Sequence, residues 1–172
     1  MRRHQLEHVL RAAAATSGFD DIIVIGSQAI LASFPDVIDA LVVSMEADVY
    51  PRADPSRSIV IDGAVGELSM FHQTFGYYAH GVDDTTAILP DGWQTRLVKL
   101  HTPATMGAVG WCLEPHDLAV SKLAAGRGKD MSYVRTMLDE RLIDADILRQ
   151  RLLSTPRLHP TRLSDALATL NY

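Results

Sequence analysis

Apolar residues recur at helical spacing near the beginning of the chain and then in short continuous runs. Four of them lie at positions i, i+3, i+4 and i+7, namely Leu6, Val9, Leu10 and Ala13. This spacing predicts an amphipathic helix over residues 3–16, which Gly18 would end. The apolar run 22–25 that follows is typical of a buried strand.

In the next part of the chain the pattern changes twice. Residues 28–33 are predicted to form a short helix that starts at Ser27 and ends before Pro35, because the residue before a proline disfavours helical backbone. The apolar run 40–44 and the alternating run 46–50 are predicted as strands, the second with one exposed face.

The rest of the chain divides into a strand-rich and a helix-rich part. Residues 58–69 fit a strand by the run 59–61 and a helix by the spacing to Val65 and Leu68, and we expect the helix. Short strands are predicted at 77–78, 87–89, 97–100 and 109–113. Helices are then predicted at 115–125, 130–138, 145–153 and 161–170. We therefore expect an α+β fold, with a mixed sheet of five or six short strands flanked by helices and a C-terminal helical tail. The α/β core would span 1–113, and the helical part 114–172 would pack on it in one compact unit.

Composition narrows the class of protein. The chain has 172 residues, 47% of them apolar, and a single cysteine. An intramolecular disulfide is thereby excluded, and a reducing compartment, the cytoplasm, is expected. No apolar run approaches the roughly 18 residues of a membrane span, so no membrane association is expected.

The net charge of -5 is distributed unevenly along the chain, since residues 1–116 hold 7 Lys and Arg against 14 Asp and Glu. An acidic front part suits a divalent cation. Differences between solvated helix faces explain the same asymmetry equally well.

A Gly-Ser pair, Gly26 and Ser27, joins the first predicted strand to the short helix. Backbone N–H groups at a helix N-terminus bind phosphate, and a glycine lets the backbone approach it closely. The ordinary alternative is a serine N-cap after a tight glycine turn.

Glu46 and Asp48 lie two residues apart on a predicted strand, so both carboxylates project from the same face. Two adjacent oxygen ligands suit Mg²⁺ or Mn²⁺, whereas without a cation the two charges would repel each other. The alternative is an exposed acidic strand face. Together with a phosphate-binding turn, the acidic pair indicates metal-assisted phosphoryl or nucleotidyl transfer.

These two motifs resemble those of nucleotidyltransferase-fold proteins, in which a Gly-Ser pair precedes an acid-x-acid motif. The sequence is most similar to a bacterial group related to the AbiEii and MenT type toxins. The likeness extends over residues 20–135, and Lys122 and Asp130 match the third and fourth motifs of that group.

The resemblance implies a nucleotidyltransferase-like fold and assigns a role to each matching residue. Glu46 and Asp48 would bind the metal and act in catalysis, Gly26 and Ser27 would hold the nucleotide phosphates, and Lys122 would neutralise the leaving pyrophosphate.

Lys122 also has a case from its helix neighbours. Ala119 and Gly126 are small and would leave its ammonium open to a triphosphate, although a solvated helix lysine looks the same in sequence. Asp130, as a catalytic residue, would position Lys122 or orient an attacking group; otherwise it is the N-cap of the next helix.

The aromatic stretch 71–78 contains His72. A nucleobase could stack there and place His72 near a phosphate, whereas aromatic residues close to strands more often belong to the core.

The resemblance implies transfer of a nucleoside monophosphate from an NTP, with Mg²⁺ or Mn²⁺ as cofactor, to a tRNA 3′ end or a protein hydroxyl. A toxin role would imply a cognate antitoxin. Active members commonly carry a third carboxylate on a later strand, but the best candidate strand here, 96–101, has no acid; Asp62 or Glu67 could take its place. The alternatives are therefore a degenerate protein that binds a nucleotide or partner without turnover, and an interaction scaffold built on the helical tail.

Overall fold

The protein is described by a computed structural model over residues 1–170. Within these residues the chain forms five strands: β1 (Asp21–Val24), β2 (Glu46–Pro51), β3 (Tyr78–Gly81), β4 (Val98–Leu100) and β5 (Val109–Cys112). The helices are α1 (Arg3–Ser17), α2 (Ile30–Ser33), α3 (Ser58–Val65), α4 (Met70–Phe75), α5 (Pro115–Ala125), α6 (Gly128–Asp139), α7 (Ala145–Leu153) and α8 (Pro160–Thr169). The predicted α+β fold is confirmed.

The chain divides into two compact units. The first unit contains Met1–Thr86 and Leu97–Leu113, and the second contains Ala87–Arg96 and the residues from Glu114 onward.

The first unit is built on a mixed sheet in the order β3-β2-β1-β5-β4. β1 runs antiparallel to β2 and parallel to β5, β2 is parallel to β3, and β4 is antiparallel to β5. The four apolar residues of α1 named above are all fully buried, as the amphipathic pattern predicts. A Cβ at Gly110 on β5 would come within 2.6 Å of Leu10, so α1 lies directly on this face of the sheet.

The second unit is helical, with α5 packed against α6, α7 and α8. Its buried side chains include Leu118, Leu123, Val134, Leu148 and Leu152. No helix within residues 1–170 is both long enough and apolar enough to cross a lipid bilayer.

Two predicted strands are wrong. The apolar run 40–44 lies outside the sheet: residues 39–41 form a 3-10 turn, and Leu41 and Val42 are buried from irregular backbone. Residues 87–89 also form no strand, and the Ala87 carbonyl instead accepts from Arg157 Nη2 at 3.0 Å. Apolar runs of three to five residues are buried equally well by a turn as by a strand, so hydrophobicity alone misassigns them.

The helix predicted over 58–69 is shorter than expected. α3 ends at Val65, and Ser69 instead caps α4 by accepting from the His72 N–H. A Cβ at Gly66 would overlap the Asp62 carbonyl, at 2.0 Å, so the chain turns away at a position where only glycine fits.

Candidate metal and nucleotide site

Gly26 and Ser27 follow β1 at the end of the strand. Gly26, rather than Ser27, is the N-cap of a 3-10 turn over Ser27–Ala29, which continues into the four-residue α2. The alternative that Ser27 is the N-cap is therefore wrong, and the predicted short helix is a 3-10 turn with one α-helical turn added to it.

The glycine at position 26 makes room for Asp48. A Cβ there would lie 2.1 Å from Asp48 Oδ2, well inside the contact distance of two such atoms. Its φ of −86° is one that any residue adopts. Glycine is therefore needed here for the space that the Asp48 carboxylate occupies and not for backbone conformation.

Glu46 and Asp48 lie on one face of β2, and Ala47 and Val49 are fully buried on the other. Along the edge of β2 that faces β1, the Ile25 N–H donates to the Asp48 carbonyl at 3.1 Å and holds the strand in place. Both carboxylates are half-buried, so they remain accessible to a ligand while their backbone is fixed by the sheet.

The neighbouring strand β3 places a hydrogen-bonding side chain opposite each carboxylate. Tyr78 is in register with Glu46 and His80 with Asp48. The Tyr78 hydroxyl donates to Glu46 Oε2 at 3.0 Å, and His80 Nδ1 lies 3.0 Å from Asp48 Oδ1. Burial, the hydrogen bond to Glu46 and the nearby acidic charges together raise the pKa of Tyr78 to about 12, so this hydroxyl keeps its proton at neutral pH.

Glu46, Asp48 and His80 form the one group of three or more potential metal ligands found within residues 1–170. One ligand atom from each lies within 4.8 Å of the others. Two carboxylates and an imidazole are donors that divalent cations accept, so the residues present fit a metal.

Sequence reasoning missed His80 because it searched the wrong strand for a third ligand. The segment 96–101 contains β4, which lies at the opposite edge of the sheet from β3. Asp62 does not belong to the ligand group; its Oδ1 accepts from the backbone N–H of Gly81 at 3.1 Å. The signal that could have found His80 is its two-residue spacing from Tyr78, which matches the spacing of Glu46 and Asp48.

Lys122 and Asp130 lie together in the second unit. Lys122 Nζ is 3.6 Å from Asp130 Oδ1 and 5.4 Å from the centre of the Tyr133 ring, and the Lys122 side chain is only 13% exposed. The small neighbours therefore do not leave this ammonium open as expected. Asp130 is not an N-cap, because Arg127 holds that position and its Nε donates to Asp130 Oδ2 at 2.5 Å. Asp130 thus pairs with two positively charged side chains, those of Lys122 and Arg127. The functional roles of Lys122 and Asp130 stay predictions.

His72 lies in α4 beside Tyr78, whose hydroxyl contacts Glu46. Its Nδ1 accepts from the Leu68 N–H at 3.0 Å, and its ring centre is 4.6 Å from that of Tyr78. The other aromatic residues of this stretch contact each other and His8; they are Phe71, Phe75 and Tyr77. Of the three only Tyr77 is buried, and Phe75 is 46% exposed. Nucleotide binding by His72 remains a prediction.

Comparison with known proteins identifies the family. Residues 4–166 match a family described as a nucleotidyltransferase of unknown function (DUF6036). Neither the curated proteins nor the solved structures contain a match, and the closer likeness to the AbiEii and MenT type toxins stays a prediction. Since the match covers nearly the whole chain and includes the Gly-Ser turn and the acidic pair, the protein belongs to this nucleotidyltransferase family.

Proposed function

We propose that this protein transfers a nucleoside monophosphate from an NTP to an acceptor hydroxyl, using a divalent cation held by Glu46 and Asp48. The proposal rests on one observation. The Asp48 carboxylate packs against the backbone of Gly26, and Glu46 lies on the same face of β2. This arrangement brings the acid-x-acid strand against the Gly-Ser turn, which supports the resemblance to nucleotidyltransferase-fold proteins.

In the proposed reaction the acceptor oxygen forms a bond to the α-phosphorus. The bond from the α-phosphorus to the oxygen bridging the α- and β-phosphates breaks, pyrophosphate leaves with that electron pair, and the proton of the acceptor hydroxyl passes to water. A bound cation supplies neutralisation of the phosphate charges.

The chain's own residues keep the ligands in place. The Tyr78 hydroxyl, protonated because its pKa is about 12, holds Glu46 in one orientation by donating to Oε2. His80 lies two residues further along β3, with its Nδ1 3.0 Å from Asp48 Oδ1. Fixed ligands reduce the reorganisation needed when charge develops on the phosphate.

We also propose that the ammonium group of Lys122 neutralises the charge of the leaving pyrophosphate, and that Asp130 positions Lys122. This assignment is supported by the order of the motifs along the chain and by the 3.6 Å ion pair between the two side chains. Ser27 and His72 are proposed to contact the nucleotide.

As acceptor we propose a tRNA 3′ end, and as the second choice a protein hydroxyl, both from the resemblance to the toxin group. The same resemblance supports a toxin role with a cognate antitoxin. The alternative is a protein of this fold that binds a nucleotide without turnover, which is favoured by the absence of an acid from 96–101.

The test is transfer of an α-phosphate radiolabel from each of the four NTPs to bulk RNA and to the protein itself, with Mg²⁺ or Mn²⁺. We expect labelled product with the wild type and a loss of at least about a hundredfold with Asp48→Ala, because that substitution removes a ligand of the charge-neutralising cation. Asp36→Ala, an exposed aspartate outside the site, is the matched control and should retain activity. Metal-dependent NTP binding without any labelled product would replace the enzyme proposal with the binding protein.

A further inference from the structure

His80 is the residue of the metal-ligand group that neither the sequence motifs nor the family description assigns. It lies on β3 directly opposite Asp48, and its side chain is 51% exposed. An imidazole so exposed adds little to the core by burial. Its position is therefore better explained by a ligand than by packing.

The backbone that carries His80 is tightly fixed. The next residue, Gly81, donates its N–H to Asp62 Oδ1 at 3.1 Å. A Cβ on Gly81 would lie 2.2 Å from the Ser58 carbonyl oxygen, so the end of β3 lies directly against α3. His80 is thus held on one side by α3, through its neighbour, and on the other by the pairing of β3 with β2.

The three ligand atoms are close enough to share one ion after a small side-chain rotation. They lie within 4.8 Å of each other, while two ligands on opposite sides of a first-row ion, each about 2.1 Å from it, are about 4.2 Å apart. The 3.0 Å contact between His80 Nδ1 and Asp48 Oδ1 would open to admit the ion.

We propose that His80 is a third protein ligand of this cation, and that the site consequently favours a first-row transition dication such as Mn²⁺ over Mg²⁺. The inference rests on the metal site of the proposed function. Mg²⁺ prefers oxygen ligands and keeps its water shell, whereas first-row transition ions gain from an imidazole nitrogen, Mn²⁺ the least among them. His80 here replaces a third carboxylate.

The substitution of an imidazole for a carboxylate also changes the charge of the site. Two carboxylates and a neutral imidazole supply two negative charges, which balance one dication. A third carboxylate would leave one negative charge over and would favour a second ion. The protein ligands of this chain therefore bind one cation by themselves, and any second ion would depend on the nucleotide's phosphates.

The test measures metal binding in the absence of nucleotide, so that it does not depend on turnover. Mn²⁺ binding is followed by loss of the free-ion electron paramagnetic resonance signal, and Mg²⁺ by competition with Mn²⁺. Pulsed spectra of bound Mn²⁺ report directly whether a nitrogen is coordinated. The proteins compared are the wild type, His80→Ala, His80→Asp and the control His101→Ala, which removes an exposed histidine outside the group.

We expect nitrogen modulation in the wild type and in His101→Ala, and its loss in both His80 variants. His80→Ala should weaken Mn²⁺ binding by about tenfold, and His80→Asp should shift the preference between Mn²⁺ and Mg²⁺ toward Mg²⁺ by about tenfold. Wild-type spectra without nitrogen modulation, or an unchanged preference in His80→Asp, would overturn the inference and leave His80 as a hydrogen-bond partner of Asp48.

A failure of the inference can be told from a failure of the proposed function. If Glu46→Gln also binds Mn²⁺ like the wild type, the cation does not sit between the two carboxylates and the proposed function loses its metal site. If Glu46→Gln loses binding while His80→Ala retains it, only the role of His80 is wrong.

Discussion

Carboxylates in the two units of this protein differ in their burial and in the side chains that they contact. In the second unit Asp117 is fully buried, and its oxygens accept from Arg96 Nε and Nη2 at 2.8 and 3.0 Å, with Arg151 Nε at 3.8 Å. In the first unit Glu46 and Asp48 are half-buried and face a phenol and an imidazole.

The difference lies in where the balancing charge comes from. Burial raises the pKa of Asp117, while the hydrogen bonds and charge of Arg96 and the charge of Arg151 oppose that rise. The chain thus supplies the cations of this buried cluster itself, and removal of one charged partner would leave the others buried without it. Under the proposed function the carboxylates of β2 receive a cation from solution, so their effect should appear in binding and not in folding.

The largest effect we expect is on the stability of the second unit. Asp117→Ala should lower the free energy of unfolding by about 3 kcal/mol, because it leaves Arg96 and Arg151 without their buried partner. Urea denaturation measures this change. Asp146→Ala, an exposed aspartate on α7, is the control and should change stability by less than about 0.5 kcal/mol. Similar midpoints for the two variants would remove the structural half of the comparison.

Gly26→Ala should affect the site without much effect on the fold. The added Cβ would lie 2.1 Å from Asp48 Oδ2 and 2.8 Å from its Cγ, so the whole carboxylate must rotate out of its place. We expect Mn²⁺ binding to weaken by about tenfold, since a displaced ligand costs about as much as a lost supporting contact.

The control for Gly26→Ala is Gly63→Ala. A Cβ at Gly63 in α3 meets nothing within 4 Å, and alanine favours a helix over glycine by roughly 0.5–1 kcal/mol. It should therefore stabilise the protein and leave metal binding unchanged. Unchanged metal binding in Gly26→Ala would mean that Asp48 is not held in its ligand position by the turn.

The pKa of Glu114 makes the stability of the helical unit depend on pH. It caps α5 by accepting from the N–H groups of His116 and Asp117, and its Oε1 lies 2.6 Å from His116 Nδ1. Burial alone would raise the pKa of Glu114, but the His116 hydrogen bond and charge and the two backbone N–H groups outweigh it and lower the pKa. A carboxyl with a lowered folded-state pKa stabilises the fold above its unfolded pKa of about 4.3, and this stability is lost as the pH falls through the folded value.

Glu114→Gln should therefore cost about 1 kcal/mol at pH 7 and flatten the loss of stability below about pH 4.3. Urea midpoints measured from pH 7 to pH 3 give both quantities, with the exposed Glu140→Gln as the control. A wild-type slope that persists in Glu114→Gln would assign the acid sensitivity to other carboxyls.

The smallest effect on stability should come from Glu46→Gln, which completes the comparison with Asp117. The amide oxygen can still accept from the Tyr78 hydroxyl, so the free energy of unfolding without metal should change by less than about 0.5 kcal/mol. The increase in melting temperature that saturating Mn²⁺ gives the wild type should disappear. A large loss of stability in the metal-free variant would make Glu46 a structural carboxylate like Asp117.

The sequence was informative wherever one periodic pattern continued over a whole element. The helices α1 and α5 to α8 and the strands β1, β2, β4 and β5 were anticipated to within a few residues, because spacing and caps are local properties. The runs 40–44 and 87–89 were misassigned, because their burial depends on contacts that the pattern does not contain.

For the site, local reasoning placed Glu46 and Asp48 on one face of a strand but could not choose their neighbour. His80 becomes their partner only through the pairing of β2 with β3, which joins residues more than 30 positions apart. The reason for Gly26 was likewise hidden, because the Asp48 side chain that fills the space comes from a different strand.

The position of β3 at an edge of the sheet has a consequence for dynamics. An edge strand opens locally more readily than a central one, even where a helix lies against its end, as α3 does here. An ion bound to both strands would oppose this opening. Amide hydrogen exchange in β3 should then slow on adding Mn²⁺, while exchange in the central strand β1 changes little.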